Sequence, residues 1–122
     1  MEITTSQKQG RVPIAVFQIQ GVIDSATYQE FSRRVREQAE AGAEFFLLDL
    51  AEVSYMSSAG IRSLNELALL MRGKFPQDEK SQMSKRVKLL RPQERVLDVL
   101  TLSGVDSVFE IHANLETALA SF

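Results

Sequence analysis

The sequence predicts an α/β fold built on a largely parallel sheet of four to five strands with crossover helices. From Val12 onward, apolar segments of strand length alternate with segments of helical periodicity, in the order β-α-β-α-β-α-β-α. At the centre of that order lies Phe45-Phe46-Leu47-Leu48-Asp49-Leu50, an apolar run with few polar interruptions, as a strand buried on both faces requires. The 122 residues fit one domain, 1–122, large enough to bury a core without metal or disulfide.

The elements follow in order. Glu2 to Lys8 is weakly strand-like, and Gln9-Gly10-Arg11 suggests a hairpin into a second strand, Val12 to Gln20. In that strand Val12, Ile14 and Val16 line one face, Phe17 and Ile19 the other, and Pro13 belongs at its start or on an edge. Gly21 is read as the end of the strand, and Asp24 as the N-cap of a helix running to about Ala41. Tyr28, Phe31, Val35 and Ala39 give this helix one apolar stripe, and Gly42 is a good residue to follow its C-terminus. After the central strand, a helix from about Ser58 to Arg72 turns Ile61, Leu64, Ala68 and Met71 inward with Leu67 alongside, while Leu69 and Leu70 widen the apolar sector beyond one core contact. The polar segment 73–84, with Pro76, reads as an extended loop. Arg86 to Leu90 is a short strand, and Pro92 fits the first turn of a helix that uses Val96, Leu97 and Leu100 inward and stops before Gly104. Val105 to Ile111 is read as a last strand, and Asn114 as the cap of a final helix holding Leu115, Ala118, Leu119 and Phe122.

Composition narrows the function. Hydrophobic residues make up 44% and charged residues 25%, the balance of an ordinary globular protein. A formal net charge of −2 gives no electrostatic footprint for nucleic acid. The absence of cysteine excludes a disulfide scaffold and cysteine chemistry, and it fits a reducing compartment. No apolar stretch reaches the ~20 residues that span a bilayer. The opening, Met1-Glu2-Ile3-Thr4-Thr5-Ser6, lacks a basic region followed by an apolar run, so a cytoplasmic location is expected.

Candidate chemistry is sparse. Ser57 or Ser58 as nucleophile with His112, the only histidine, as base lacks the Gly-x-Ser-x-Gly elbow. Neither Gly-x-x-x-x-Gly-Lys-[Ser/Thr] nor Gly-x-Gly-x-x-Gly is present, and Gly60 is better explained by packing of a helix start against a strand. Asp49 and Glu52, with Asp24 as a third carboxylate, could imitate a receiver-type acidic pocket, but Asp24 is better used as a helix cap. One histidine and no cysteine leave no metal site of the usual kind, and no cofactor is expected. The densest positive patch, Lys85-Arg86-Val87-Lys88 with Arg91, has no interleaved aromatics and reads as a solvated strand end.

What remains is the turn Tyr55-Met56-Ser57-Ser58-Ala59-Gly60-Ile61-Arg62. A helix start carries unpaired N–H groups and the positive end of the macrodipole. Ser57 is placed as N-cap and Ser58 as the first helical residue, with its hydroxyl free to point outward. A phosphate there would suit the dipole and add about −1.5 to −2 charges. From the residues alone, two readings stay open: a pair of capping serines, or a charge-controlled docking switch.

Leu48-Asp49-Leu50, Val53 and Tyr55-Met56-Ser57-Ser58-Ala59-Gly60-Ile61 resemble the signature of STAS domains of the bacterial anti-sigma factor antagonist type. Gly21 and Asp24 match the family's Gly-x-(Ile/Leu)-Asp region, and Leu100, Gly104, Val108 and Phe109 its C-terminal third. The resemblance implies a STAS-like domain with a mixed, mostly parallel sheet and four helices packed mainly on one face. It implies a non-enzymatic regulator that binds an anti-sigma factor with serine-kinase activity, is phosphorylated at the helix start, lets go, and is reset by a phosphatase. Carried onto this chain, the phosphoacceptor is Ser58, with Ser57 second. The docking surface takes in Gly21, Asp24, Ser57 and Ser58, with Arg62, Asn65 and Leu69 as contacts along the helix. A dimer is left open. Two residues depart from the family: Ser57 stands where Asp is frequent, and Ala59 where a second small or hydroxylated residue is common. The first favours an alternative, a STAS interaction or ligand-sensing module that works without phosphorylation.

Overall fold

The computed structural model describes residues 1–78 and 82–122; positions 79–81 of the expected 73–84 loop lie outside the described residues. The strands are β1 (Glu2–Gln9), β2 (Pro13–Ile23), β3 (Phe46–Met56), β4 (Val87–Leu90) and β5 (Ile111–His112). The helices are α1 (Tyr28–Glu40), α2 (Ser58–Lys74), α3 (Glu94–Leu102) and α4 (Leu115–Ala120), with single 3₁₀ turns at Pro76–Asp78 and Val105–Ser107. Among the described residues the strands form one sheet in the order β1-β2-β3-β4-β5. The first pair is antiparallel and the other three are parallel.

This topology decides where the helices go. Each crossover from β2 to β5 moves one strand in the same direction, and right-handed crossovers all made in one direction deposit their helices on one face. Phe31 and Val35 of α1, Leu64 and Met71 of α2, and Val96 and Leu100 of α3 accordingly share one core cluster with Phe17, Phe46, Leu48 and Leu50. Only α4, which is not a crossover, packs on the opposite face, where Ala118 meets Ile14, Val16, Leu47 and Leu90. The alternation expected for β2 holds: Ile14 and Val16 face α4, and Phe17 and Ile19 face the larger core.

Several expectations are corrected. Gly21 does not end β2: it takes φ 108 beside a register shift against β3, and this irregularity lets the strand bend and continue to Ile23. The first helix starts later than Asp24. The Asp24 carboxylate accepts the Ala26 N–H at 2.9 Å, and its carbonyl accepts Thr27 and Tyr28, a local turn that displaces the first helical turn. Thr27 is the N-cap position instead. Gly42, at φ 107, does follow the C-terminus of α1, which ends one residue earlier than expected. The central strand runs past Leu50 to Met56, and α2 takes in Gly73 and Lys74 from the expected loop. Leu97 is exposed on α3, leaving Val96 and Leu100 as its buried residues. Val105 to Ile111 is not a strand. Val105 and Phe109 are buried four residues apart around a 3₁₀ turn, so their apolar spacing is that of a coiled turn, and only Ile111 and His112 pair with β4.

The basic patch is not a solvated strand end. The Arg86 guanidinium stacks over the Phe75 ring at 3.6 Å and pairs with Asp78. Arg91 holds Asp49 at 2.8 Å, and Lys88 is 3% exposed. Pairing with acids from neighbouring elements draws Arg86 and Lys88 into the fold, while Arg91 keeps 43% exposure beside Asp49 and Lys85 is exposed. Lys88 Nζ donates to the Ser121 carbonyl at 2.8 Å and its hydroxyl at 3.0 Å, pairs with Glu110 at 3.1 Å and lies 4.7 Å from the Phe122 ring centre. It therefore pins the end of α4, a six-residue helix too short to persist alone. Lys88→Met keeps the volume and removes the cation. Its expected result is local opening: amide hydrogen exchange rises across 115–120 while β2 and β3 amides stay protected, at a cost of about 1–3 kcal/mol to α4 docking.

Candidate functional site

The parallel pairing of β2 and β3 ends with Ile23 opposite Met56, so the chain leaves both strands at the same rim of the sheet. Just past that rim the sequence turns into α2. Ser57 is extended (φ −89°, ψ 179°), and its hydroxyl accepts the Ala59 N–H at 3.2 Å, as an N-cap should. Its own N–H donates to the Ile23 carbonyl at 2.9 Å, tying the helix start to β2. Gly60 completes this junction. A Cβ there would lie 2.6 Å from Met56 Cγ and 3.0 Å from both Ile23 Cγ2 and the Ile23 carbonyl oxygen. The packing role expected of Gly60 is thus met, and it fixes how closely α2 approaches the strand ends.

With Ser57 occupied as cap, Ser58 is the first residue of α2. It is exposed, and its hydroxyl makes no hydrogen bond to a described residue. No acidic residue stands in the first turn of α2, whereas Arg72 and Lys74 stand in its last. The positive end of this 17-residue helix therefore has no acid in its own first turn to offset it. Ser58, Arg62, Asn65 and Leu69 are spaced four, three and four residues apart, so they fall on one face of the helix. All four are exposed, Leu69 at 66%. Beyond them, a cleft of about 370 Å³ runs between α1 and α2, lined by Phe31, Val35, Ser63, Leu67, Leu69 and Leu70.

The loop after β2 adjoins the same rim. Thr27 braces it: its hydroxyl donates to the Val22 carbonyl at 2.7 Å and accepts the Asp24 N–H at 2.9 Å. Thr27 was not singled out from the sequence, although a threonine directly before the first apolar residue of a helical stripe was the available signal. Tyr55 stands at the head of the turn. It is 46% exposed beside the turn, because strand alternation sends it opposite to buried Met56. Asp24 and Ser57 directly follow the two strand ends, Ser58 comes next, and Arg62, Asn65 and Leu69 continue along α2, whereas Gly21 lies inside β2 opposite Val53, short of the rim.

The side chains weighed for catalysis or metal binding have local partners. The His112 ring meets Glu110 at 3.1 Å, and the Ser57 hydroxyl is taken by a backbone amide. Asp49, 5% exposed, is spent on Arg91 and on the Ala51 N–H at 3.1 Å, while Asp24 holds its own turn. Among the described residues, no group of three His, Cys, Asp or Glu is disposed to hold a metal ion, and no helix is long and apolar enough to cross a membrane.

A family model described as STAS domain matches residues 5–74, more than half of the chain. A protein of Bordetella bronchiseptica named as an anti-sigma factor antagonist, BtrV, is 29% identical over 104 residues, covering 85% of this chain and 82% of its own. A crystal structure from Thermotoga maritima, described as that of an anti-sigma factor antagonist, superposes with a TM-score of 0.79 at 15% identity, covering 96% of this chain and 91% of its own. The Bacillus cell fate determinant SpoIIAA, in its phosphorylated form, superposes with a TM-score of 0.67 at 16% identity, covering 97% of this chain and 96% of its own.

Proposed function

The chain belongs to the STAS domain family, and on that premise we propose that it is a phosphorylation-switched docking protein of the anti-sigma factor antagonist kind. It acts by binding rather than catalysis, in the cytoplasm. Unphosphorylated, it presents the rim formed by Asp24, Ser57 and Ser58, with Gly21 short of it, together with the α2 stripe Arg62, Asn65 and Leu69, to an anti-sigma factor with serine-kinase activity. Transfer of phosphate to Ser58 ends the association, and a phosphatase restores it. The observation that carries this reading is the division of labour at the helix start: Ser57 satisfies the cap, which leaves the Ser58 hydroxyl exposed and unengaged.

The physics of the switch is local. A phosphate on Ser58 meets the positive end of α2, whose first turn holds no acid, and lies one turn from Arg62, at the i, i+4 spacing that allows pairing. The fold thus tolerates the modification. A partner surface fitted to a neutral hydroxyl meets about −1.5 to −2 charges and loses access to Arg62.

The test is intact mass after incubation with ATP and the cognate kinase. One phosphate on the wild-type chain and none on Ser58→Ala supports the switch; an unmodified wild-type chain, or a phosphate that persists in Ser58→Ala, overturns it. Leu69→Ala tests the docking stripe. Exposed at 66%, Leu69 contributes little to the free fold, so the melting temperature should hold while partner affinity falls about tenfold, in line with the ~1.5–3 kcal/mol gained when a Leu is fully buried. Titration calorimetry measures both variants against the same partner. The serine at position 57, where the family frequently carries Asp, favours a second reading: a STAS module that docks or senses a small apolar ligand in the α1–α2 cleft without phosphorylation. It predicts binding unaffected by ATP.

A further inference from the structure

The sheet has one long open edge, the outer side of β1. Which of its backbone groups face outward follows from β2. The Ala15 N–H donates to the Phe45 carbonyl, so the odd residues of this part of β2 face β3 and the even ones face β1. Thr4, Ser6 and Lys8, opposite Gln18, Val16 and Ile14, therefore bond to β2. Ile3, Thr5 and Gln7 send their N–H and C=O groups out from the free edge. The Arg34 guanidinium confirms that direction by reaching over to the Ile3 carbonyl at 3.2 Å and the Thr5 hydroxyl at 3.4 Å.

Open edges are usually blunted by proline, a bulge or a run of like charge. β1 has neither proline nor register shift. Its charged residues are Glu2 and Lys8, one at each end, both exposed and of opposite sign. We propose that this edge pairs antiparallel with the same edge of a second copy, about a two-fold axis at Thr5. Ile3 then bonds to Gln7 of the other copy, Thr5 to Thr5, and Gln7 to Ile3, so the outward groups of these three residues each find a complementary one, while Gln9 falls beyond the paired stretch. Glu2 falls opposite Lys8 twice, both times at non-hydrogen-bonded positions, where facing side chains are closest. The charges that would repel another partner strand in the wrong register are self-complementary in this one. Arg34 opposes the pairing, since it must give up or share the Ile3 carbonyl and it approaches its own symmetry mate. One strand pair also falls short of the ~1,200 Å² of a stable interface. The dimer is accordingly weak and concentration-dependent. The residues proposed for partner docking all lie off β1, so association would present two docking stripes at once.

The full chain is tested by sedimentation from micromolar to millimolar concentration, with amide exchange followed by NMR. A monomer–dimer equilibrium is expected in which the amides of Ile3, Thr5 and Gln7 slow with concentration while those of Thr4, Ser6 and Lys8 do not change. Glu2→Lys and Lys8→Glu each weaken the dimer several-fold at low salt, the double reversal restores it, and Arg34→Ala strengthens it. The proposal is overturned if wild type and Arg34→Ala both stay monomeric, if a dimer forms without slowing the outward amides, or if the double reversal fails to rescue.

Discussion

If Ser58 is the proposed switch, Ser58→Asp should lower affinity for the proposed partner by about a hundredfold or more and leave the fold intact. The size follows from carrying a charge into an interface fitted to a neutral hydroxyl, where the partner offers it no counter-charge. An ion left uncompensated at a desolvated interface costs about 3–5 kcal/mol, and each 1.4 kcal/mol is a factor of ten. The tolerance of the fold follows from position: an acid in the first turn of a helix is worth about 0.3–1 kcal/mol in its favour, and the first turn of α2 has none. A thermal melt of Ser58→Asp should therefore match or slightly exceed wild type, while calorimetry against the partner shows heat only for wild type and Ser58→Ala. Ser57→Ala separates the two serines. It loses the bond to the Ala59 N–H, costing about 1 kcal/mol of stability, yet it keeps the phosphoacceptor. If Ser58→Asp binds as tightly as wild type, Ser58 does not face the partner and the switch is elsewhere.

How much of this could be read from residues alone depends on how local each signal is. The helix start at Ser57 and Ser58 was legible because capping is decided within three residues, and the buried stripe of α2 because Ile61, Leu64, Leu67, Ala68 and Met71 repeat the same face. The two faces of β2 were legible for the same reason. What escaped was set by distant partners. Asp24 and Thr27 both look like helix caps, and the bond from Thr27 to the Val22 carbonyl decides between them. Lys88 and Arg91 look like solvated cations until Ser121 and Asp49 arrive from segments more than thirty residues away. Val105 and Phe109 carry strand-like composition, but the left-handed Gly104 and the turn after it convert that spacing into two inward plugs. The open edge of β1 is likewise invisible until β3 shows which side of β2 is taken.

Two glycines of α2 should respond oppositely to the same substitution. Helix propensity alone favours alanine over glycine by about 1 kcal/mol at either. At Gly73 a new Cβ meets nothing within 4 Å, so Gly73→Ala should stabilise by roughly 0.5–1 kcal/mol, reduced by its place in the last turn. At Gly60 the Cβ meets Met56 Cγ at 2.6 Å and the Ile23 carbonyl oxygen at 3.0 Å. The methionine can swing aside, but the carbonyl is backbone and is already bonded to the Ser57 N–H. Relief therefore means lifting the first turn of α2 off the strand ends, with an overpacking cost of about 1–3 kcal/mol that exceeds the propensity gain. Gly60→Ala should come out destabilised by about 1–2 kcal/mol, and Gly60→Val, with a branched side chain in the same space, by about 3 kcal/mol or more. Urea unfolding of the three variants gives the signs directly. Because the displaced turn carries Ser58, Gly60→Ala should also lose partner affinity well before it unfolds, whereas Gly73→Ala should not. A stabilised Gly60→Ala would mean that α2 does not rest on Ile23, and the geometry that holds the Ser58 hydroxyl at the rim would fall with it.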